Sequence, residues 1–330
     1  MPVLDMPLPE LRAYAPELDE PADFDAWWAA QLQGLPQRPE LICDELQDTP
    51  FPGLTIRELV FAGADGDPVH ALLTVPDAGG RQDATALGTA GLPGVVQFVG
   101  YGGGRGLPGQ VPWYAMAGFA HLIVDPRGQG GDWAYGSTAD PGSTGAHAAG
   151  WLTDGVGSPE TFYYRRTILD SVAAVRLMRT LEGVDASRIA CVGGSQGGGL
   201  SLAAAALDGH VQAACVDSPF ITHIPRALQL ASAGPYLELV RFLGVSPQAE
   251  QAALRTLSYV DGVSFASRLS APTLFSTGLL DPVCPTSTCF AAHNLCSAAD
   301  KRIDVYSYGA HEGGGHRQVL AHCRWLQEHL

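Results

Sequence analysis

The chain has 330 residues, of which 46% are hydrophobic and 16% charged, so it can bury a sizeable core and lacks the composition of a disordered protein. Its formal net charge of -15 weighs against nucleic acid or an anionic membrane as a partner, because both attract basic surfaces. No apolar run approaches the ~18 residues of a membrane-spanning helix, and the first residues lack the basic and apolar regions of a secretory signal.

The N-terminal part of the chain changes from a helical to a β pattern. Residues 1–50 are predicted to form a helical extension, since aromatic and aliphatic side chains between Phe24 and Leu32 recur at helical spacing. Residues 54–75 hold two β-rich runs around Asp65-Gly66, which predicts a hairpin. Residues 77–93 are rich in Gly and Ala and are predicted to form an exposed loop.

Short apolar runs then alternate with longer helical stretches. The candidate strands are residues 95–99, 121–125, 189–193, 213–217, 273–277 and 302–308. Most are apolar at nearly every position, which suits a mostly parallel sheet covered by helices on both faces. The alternation predicts a single doubly wound α/β domain over residues 1–330.

Two long segments interrupt this alternation. Residues 126–160 are Gly-rich without a clear periodic element, and loops of that length are usually functional or lie at interfaces. Residues 220–270 contain helical patterns between two predicted strands. We expect them to form a helical insertion over the carboxyl edge of the sheet.

A candidate nucleophile follows the third of these strands. Gly193-Gly194-Ser195-Gln196-Gly197 fits G-x-S-x-G between a strand-like run and a helix-forming run, as in the nucleophile elbow of α/β-hydrolases. The glycines let the backbone turn sharply, and the helix N-terminus favours developing negative charge beside the Ser195 hydroxyl. The alternative for the motif alone is a Gly-rich turn that packs tightly or binds phosphate.

A serine hydroxyl needs a base that is itself oriented by a carboxylate, and in α/β-hydrolases these follow in the order acid, then His. Asp281 lies in the loop that ends the predicted strand 273–277, and His311 lies in the loop just past the strand 302–308. We therefore expect both side chains to reach Ser195. The alternative for Asp281 is a turn-forming or helix-capping role before Pro282.

An oxyanion hole needs two backbone N–H donors. One is expected from Gln196, which follows the nucleophile, and the other from the Gly-rich loop 99–106 after an early strand. That loop also resembles a dinucleotide fingerprint, but Arg105 occupies the place of the third glycine and the expected acid is missing. No cofactor is therefore expected.

Metal binding and disulfides are also disfavoured. His311-Glu312 and His316 have the wrong spacing for H-E-x-x-H, and the glycines between them disfavour a helix. The seven cysteines are odd in number and irregularly spaced, and they form no Cys-x-x-Cys pair. We expect reduced thiols, no metal and a cytoplasmic protein.

These segments together resemble carbohydrate esterase family seven, the acetyl xylan esterase and cephalosporin C deacetylase group. The similarity lies in Gly100-Tyr101 with Gly103-Gly104-Arg105-Gly106, Asp125 with Arg127-Gly128-Gln129-Gly130, Tyr163-Tyr164-Arg165-Arg166, Gly194-Ser195-Gln196-Gly197-Gly198-Gly199, Thr256-Leu257-Ser258-Tyr259 with Asp261-Gly262-Val263, Gly278-Leu279-Leu280-Asp281, Cys284-Pro285 and His311-Glu312-Gly313-Gly314-Gly315.

The resemblance implies an α/β-hydrolase fold with a Ser195–His311–Asp281 triad and an oxyanion hole from the backbone N–H groups of Tyr101 and Gln196. It implies acetylated xylo-oligosaccharides and cephalosporin C as substrates. It also implies a hexamer around an internal cavity, with the loop after Arg127 as an interface element, and structural roles for Arg127 and Gln129. The chain departs from the family at Gly102, where Asn is expected, and at Pro282 and Thr286.

The sequence thus predicts a serine esterase that removes acetyl groups from small molecules through an acetyl-enzyme. A serine peptidase or a long-acyl lipase on the same fold is the alternative within the hydrolases. A binding protein with a relic site is the alternative outside them.

Overall fold

The computed structural model describes residues 5–77, 91–143 and 148–330. Within them the chain builds a nine-stranded sheet. Its strands are β1 (Leu41–Leu46), β2 (Leu54–Ala62), β3 (Pro68–Pro76), β4 (Leu92–Phe98), β5 (Ala120–Val124), β6 (Val184–Gly194), β7 (Ala213–Asp217), β8 (Thr273–Gly278) and β9 (Lys301–Tyr306). All six strands predicted after residue 93 are present, although β6 begins five residues earlier than expected.

The strand order is β1-β2-β3-β5-β4-β6-β7-β8-β9. In this order, the pairs β1-β2, β2-β3 and β3-β5 are antiparallel. The pairs β5-β4, β4-β6, β6-β7, β7-β8 and β8-β9 are parallel. Because β4 lies between β5 and β6, the chain winds in both directions from this point. The carboxyl ends of parallel strands leave a crevice where the order reverses, which is where ligands bind in such sheets.

Helices cover both faces of the sheet. They are α1 (Leu8–Ala13), α2 (Phe24–Gln33), α3 (Trp113–Met116), α4 (Tyr163–Met178), α5 (Gln196–Asp208), α6 (Ile224–Leu230), α7 (Tyr236–Val245), α8 (Glu250–Ser258), α9 (Gly262–Ala266), α10 (Thr286–Leu295) and α11 (His316–His329). Alternate strand residues face opposite ways: Val95 packs in one cluster with Trp325 of α11, whereas Val96 packs in another with Val172 of α4. The predicted doubly wound α/β fold is confirmed.

The N-terminal region is only partly helical. Residues 1–50 contain α1 and α2, as the predicted helical extension requires, but the prediction was wrong for residues 41–46, because β1 extends the sheet by pairing antiparallel with β2. All six residues of β1 are exposed, and Leu41 and Ile42 stand side by side. The strand therefore lacks the period-two apolar pattern by which a half-buried strand is recognised.

The hairpin and the two long segments agree with the sequence expectations, whereas the predicted loop 77–93 ends inside β4, which begins at Leu92. The hairpin of β2 and β3 turns at Asp65, which has a φ of 57°. The segment 220–270 holds α6 to α9, and the described parts of 126–160 contain neither helix nor strand. Of the loop predicted at 77–93, residues 78–90 lie outside the described residues. Within residues 5–77, 91–143 and 148–330, every helix falls short of the length and apolarity that crossing a membrane requires.

Candidate active site

Ser195 occupies the turn between β6 and α5. Its φ of 57° and ψ of -121° place a non-glycine residue in a sparsely populated region of backbone conformation. Two hydrogen bonds hold that conformation: Ser195 N donates to Asp217 O over 2.8 Å, and Phe220 N donates to Ser195 O over 2.9 Å. The backbone at Ser195 is thus fixed by the last residue of the neighbouring strand β7 and by the segment that follows it.

Glycines around Ser195 permit close backbone approach. A Cβ atom on Gly197 would overlap the carbonyl oxygen of Phe98 at the end of β4, and one on Gly193 would overlap the carbonyl group of Gly197. Only glycine therefore lets the first turn of α5 pack against the neighbouring strand end. This is the packing that the G-x-S-x-G pattern predicts.

Ser195, His311 and Asp281 form a continuous chain of hydrogen bonds. The Nε2 atom of His311 lies 2.9 Å from Ser195 Oγ, and the Nδ1 atom lies 2.9 and 3.1 Å from the two carboxylate oxygens of Asp281. Asp281 comes from the loop after β8 and His311 from the loop after β9. Parallel pairing of these two strands places the two loops side by side. A carboxylate at Nδ1 keeps the proton on that nitrogen and leaves Nε2 free to accept from the serine hydroxyl.

Asp281 also forms the turn before Pro282. Its Oδ1 accepts hydrogen bonds from Val283 N and Cys284 N over 2.8 and 2.9 Å, and its side chain is fully buried. The turn-forming alternative and the orienting role therefore coexist, because one carboxylate makes both sets of contacts. These contacts fix the direction in which the carboxylate faces His311.

The loop after β4 lies beside the nucleophile. A Cβ atom on Gly100 would lie 4.0 Å from the Cβ of Ser195. The carbonyl oxygen of the next residue, Tyr101, accepts a hydrogen bond from the indole Nε1 of Trp133 over 2.8 Å. The backbone at Tyr101 thus lies close to Ser195, and Trp133 of the 126–160 loop holds it there.

Gln129 and Gln196 stand behind this loop. Gln129 Oε1 accepts from Gly102 N over 2.7 Å, while its Nε2 donates to Gln196 Oε1 over 2.9 Å and to Tyr163 OH over 2.8 Å. Gln196 Nε2 in turn donates to Val99 O over 3.2 Å. The buried amides join the two segments from which the oxyanion donors are predicted.

The departure at Gly102 has a structural counterpart. This residue has a φ of 76°, and a Cβ atom on it would overlap the carboxylate of Asp132. Likewise, a Cβ atom on Gly103 would overlap the indole ring of Trp133. Side chains of the 126–160 loop therefore fill the space that larger residues in the 99–106 loop would take.

An open cleft of about 510 Å³ leads to Ser195 and His311. Tyr101 and Trp133 line it from the two Gly-rich loops, and Val283 lines it from the loop after β8. These three side chains give the cleft a largely apolar wall beside Ser195, while His311 keeps 31% of its side-chain surface exposed to solvent.

Other residues singled out in the sequence lie elsewhere. Arg127 is fully buried and pairs with Asp170, Asp67 and Asp140, and these carboxylates raise the pKa of its guanidinium against the opposing effect of burial. His316 begins α11 away from the hydrogen-bonded chain. Within the described residues, no group of three or more His, Cys, Asp or Glu side chains has the arrangement of a metal site.

Two contributors were not foreseen from the sequence. Trp133 lines the cleft with 62% of its surface exposed, and Glu238 on α7 contacts the phenol of Tyr101. A tryptophan directly after Gly130-Gly131-Asp132 was the available signal for the first. Glu238 lies between two leucines of a predicted amphipathic helix, and this pattern predicts only a solvent-exposed side chain.

Three comparisons with known proteins find acetyl esterases among the similar proteins. A family model described as Acetyl xylan esterase (AXE1) matches residues 1–329. The solved structure of an acetyl xylan esterase from Paenibacillus sp. R4 is 37% identical and has a TM-score of 0.88, covering 98% of this chain and 100% of that one. Acetyl xylan esterase 1 from Thermoanaerobacterium sp. JW/SL YS485 is 30% identical with a TM-score of 0.84, covering 98% and 99%.

More distant relatives share less of their length. The acetyl esterase Axe7A of Xylanibacter ruminicola is 25% identical over 298 residues, which are 88% of this chain, and the match spans 64% of that relative's length. An acylaminoacyl peptidase of Pyrococcus horikoshii, 16% identical with a TM-score of 0.60, covers 85% of this chain and 42% of that one. The latter likeness concerns the fold alone.

Proposed function

The chain belongs to the acetyl xylan esterase family, and on that premise we propose that it is a serine esterase that removes acetyl groups from small acetylated carbohydrates. The observation that carries the proposal is the chain of hydrogen bonds from Asp281 through His311 to Ser195 Oγ. Such an arrangement activates a serine hydroxyl for attack on an ester carbonyl.

In the first half-reaction, Ser195 Oγ attacks the acetyl carbonyl while His311 Nε2 takes its proton. Asp281 holds the Nδ1–H tautomer and stabilises the imidazolium cation that forms. The negative charge on the carbonyl oxygen is stabilised by the backbone N–H groups of Tyr101 and Gln196, aided by the N-terminus of α5. His311 then protonates the sugar oxygen as it leaves, which produces an acetyl-enzyme and a free alcohol.

In the second half-reaction, water attacks the acetyl-enzyme while His311 Nε2 takes its proton. The same N–H groups stabilise the second tetrahedral species. As that species collapses, His311 returns the proton to Ser195 Oγ and acetate departs. The partly exposed imidazole supports this step, because water can reach it through the cleft.

Acetylated xylo-oligosaccharides are the proposed carbohydrate substrates, and the acetyl ester of cephalosporin C is a proposed second one. The names of the two most similar structures described above support the first. An open cleft of about 510 Å³, which is larger than an acetyl group alone requires, supports both.

A hexamer is proposed for the assembly. Light scattering would then give six times the chain mass of 34.6 kDa.

The test is acetate release by the wild-type protein, Ser195→Ala and the control Ser187→Ala, whose side chain is exposed outside the cleft. Ser195→Ala should lower the turnover of p-nitrophenyl acetate by roughly 10⁴-fold or more, while Ser187→Ala should match the wild type. A panel of acetylated xylo-oligosaccharides and cephalosporin C then ranks the substrates. Equal rates on acetyl and octanoyl esters, or cleavage of a peptide anilide, would contradict a dedicated acetyl site.

A further inference from the structure

The phenol group of Tyr101 is held at four points. Its hydroxyl donates to both carboxylate oxygens of Glu238, over 2.8 and 2.7 Å, and accepts from Gly150 N and Trp151 N over 3.1 and 3.0 Å. The ring also packs edge-on against Trp151, with 5.0 Å between the ring centroids. The backbone of Tyr101 lies beside Ser195, and the opposite end of the same residue, its hydroxyl group, is anchored by these contacts.

Glu238 brings the helical insertion into this contact. It lies in the first turn of α7. Two consecutive residues, Gly150 and Trp151, direct N–H groups at the Tyr101 hydroxyl beside Glu238. Burial raises the pKa of Glu238, and the hydrogen bonds from Tyr101, together with the charge of Arg241, oppose that shift.

We propose that Glu238 is a positioning residue for the oxyanion hole, which fixes the backbone N–H of Tyr101 by clamping its phenol group. The proposal rests on the esterase function proposed above. The peptide of Tyr101 is then held from two sides: Trp133 binds its carbonyl oxygen, and Glu238 binds the far end of its side chain.

The physical reason is the geometric demand of transition-state stabilisation. An oxyanion donor acts only when it lies at hydrogen-bond distance from the position that the charged oxygen will occupy. A hydrogen bond to a carboxylate is stronger than one between neutral groups, so Glu238 restrains the tyrosine more than a neutral acceptor would. Losing this restraint leaves the donor present but less well placed.

The experiment compares Glu238→Ala, Glu238→Gln and the control Glu250→Ala, an exposed glutamate of the same insertion. Glu238→Ala should lower kcat/KM for p-nitrophenyl acetate about tenfold, less than the 10²–10³-fold of removing an oxyanion donor outright. Glu238→Gln keeps an acceptor oxygen for the phenol and should recover most of that loss. Glu250→Ala should match the wild type.

Two inhibitors separate positioning from a general structural effect. A trifluoromethyl ketone, which forms a tetrahedral adduct with an active serine, should lose affinity for Glu238→Ala by the same factor as kcat/KM. The unreactive amide p-nitroacetanilide should keep its inhibition constant within about twofold, because it samples only ground-state binding. Circular dichroism melting confirms that each variant is folded.

Several results would overturn the inference. Unchanged kcat/KM in Glu238→Ala would do so, as would equal weakening of both inhibitors or no recovery in Glu238→Gln. Ser195→Ala distinguishes these results from a failure of the esterase proposal itself. If Ser195→Ala remains active, the proposed function fails; if it is inactive while Glu238→Ala behaves as the wild type, only the positioning role fails.

Discussion

The side chains of Gln129 and Gln196 are joined by a hydrogen bond of 2.9 Å, which holds the loop after β5 against the first turn of α5. Gln129 also accepts from Gly102 N over 2.7 Å. One buried amide thus connects both segments that supply the proposed oxyanion donors. An amide suits this position because it accepts and donates at once, which no carboxylate or ammonium group does.

Replacing Gln129 tests this connection. Gln129→Ala leaves Gly102 N and Gln196 Oε1 without their shared partner, so both donor segments are less well fixed. We expect kcat for p-nitrophenyl acetate to fall by about 10²-fold with a smaller change in KM. Gln212→Ala, at an exposed glutamine before β7, is the control and should match the wild type. An equal loss in both variants would remove the special role of Gln129.

The orienting role of Asp281 predicts a strong effect of a nearly isosteric change. Asp281→Asn offers an amide instead of a carboxylate to His311 Nδ1, which favours the wrong imidazole tautomer and leaves its cation without a counter-charge. Turnover should fall by roughly 10⁴-fold near neutral pH. Steady-state kinetics on p-nitrophenyl acetate measures this.

Asp300 provides a matched control for that substitution. Its carboxylate lies 2.9 Å from His329 Nε2 and is 61% exposed, so it forms a similar acid–histidine pair outside the cleft. Asp300→Asn should keep wild-type turnover. Activity of Asp281→Asn within an order of magnitude of the wild type would contradict the assignment of Asp281 as the orienting acid.

The fold was largely predictable because most of its strands are buried on both faces. β7, for example, is apolar at four consecutive positions, Ala213 to Val216, and such runs stand out in the sequence. β1 was missed for the opposite reason. It lies at the sheet edge with all its residues exposed, so pairing with β2 rather than burial makes it a strand.

The site was predictable where a local rule constrains it. Ser195 is marked by the glycines that a tight turn requires, and Asp281 and His311 by their places after strands. Glu238 and Trp133 obey no such rule, because their contacts with Tyr101 arise only when two distant segments fold over the same loop. Tertiary proximity of this kind leaves no periodic trace in a single sequence.

The close approach at Gly197 predicts a stability cost for a single methyl group. A Cβ atom there would overlap the carbonyl oxygen of Phe98, so Gly197→Ala must displace α5 from β4. We expect a loss of about 1–3 kcal/mol in the free energy of unfolding, together with lower activity because Ser195 precedes the shifted turn. Urea denaturation and esterase assays measure the two effects.

Gly244→Ala is the matched control for that change. Gly244 lies exposed in α7, and a Cβ atom on it meets no atom within 4 Å. Replacing glycine by alanine inside a helix should therefore stabilise the protein by up to about 1 kcal/mol. A Gly197→Ala protein as stable as the wild type would contradict the prediction and show that the elbow tolerates a larger residue.

Buried His121 predicts a loss of stability in acid. Burial lowers its pKa to about 3, and its Nε2 lies 2.9 Å from Gln97 Oε1 on the neighbouring strand. The unfolded chain takes up a proton at this residue below pH ~6.5, whereas the native state does not. The free energy of unfolding should therefore fall as the pH drops from ~6.5 towards 3, by at most about 1.4 kcal/mol per pH unit from this group.

The variant His121→Gln tests this prediction. It should be less stable than the wild type at pH 7, but its free energy of unfolding should decline less steeply with falling pH, and urea denaturation at several pH values measures the difference. Parallel declines in the two proteins would mean that other groups alone set the acid sensitivity.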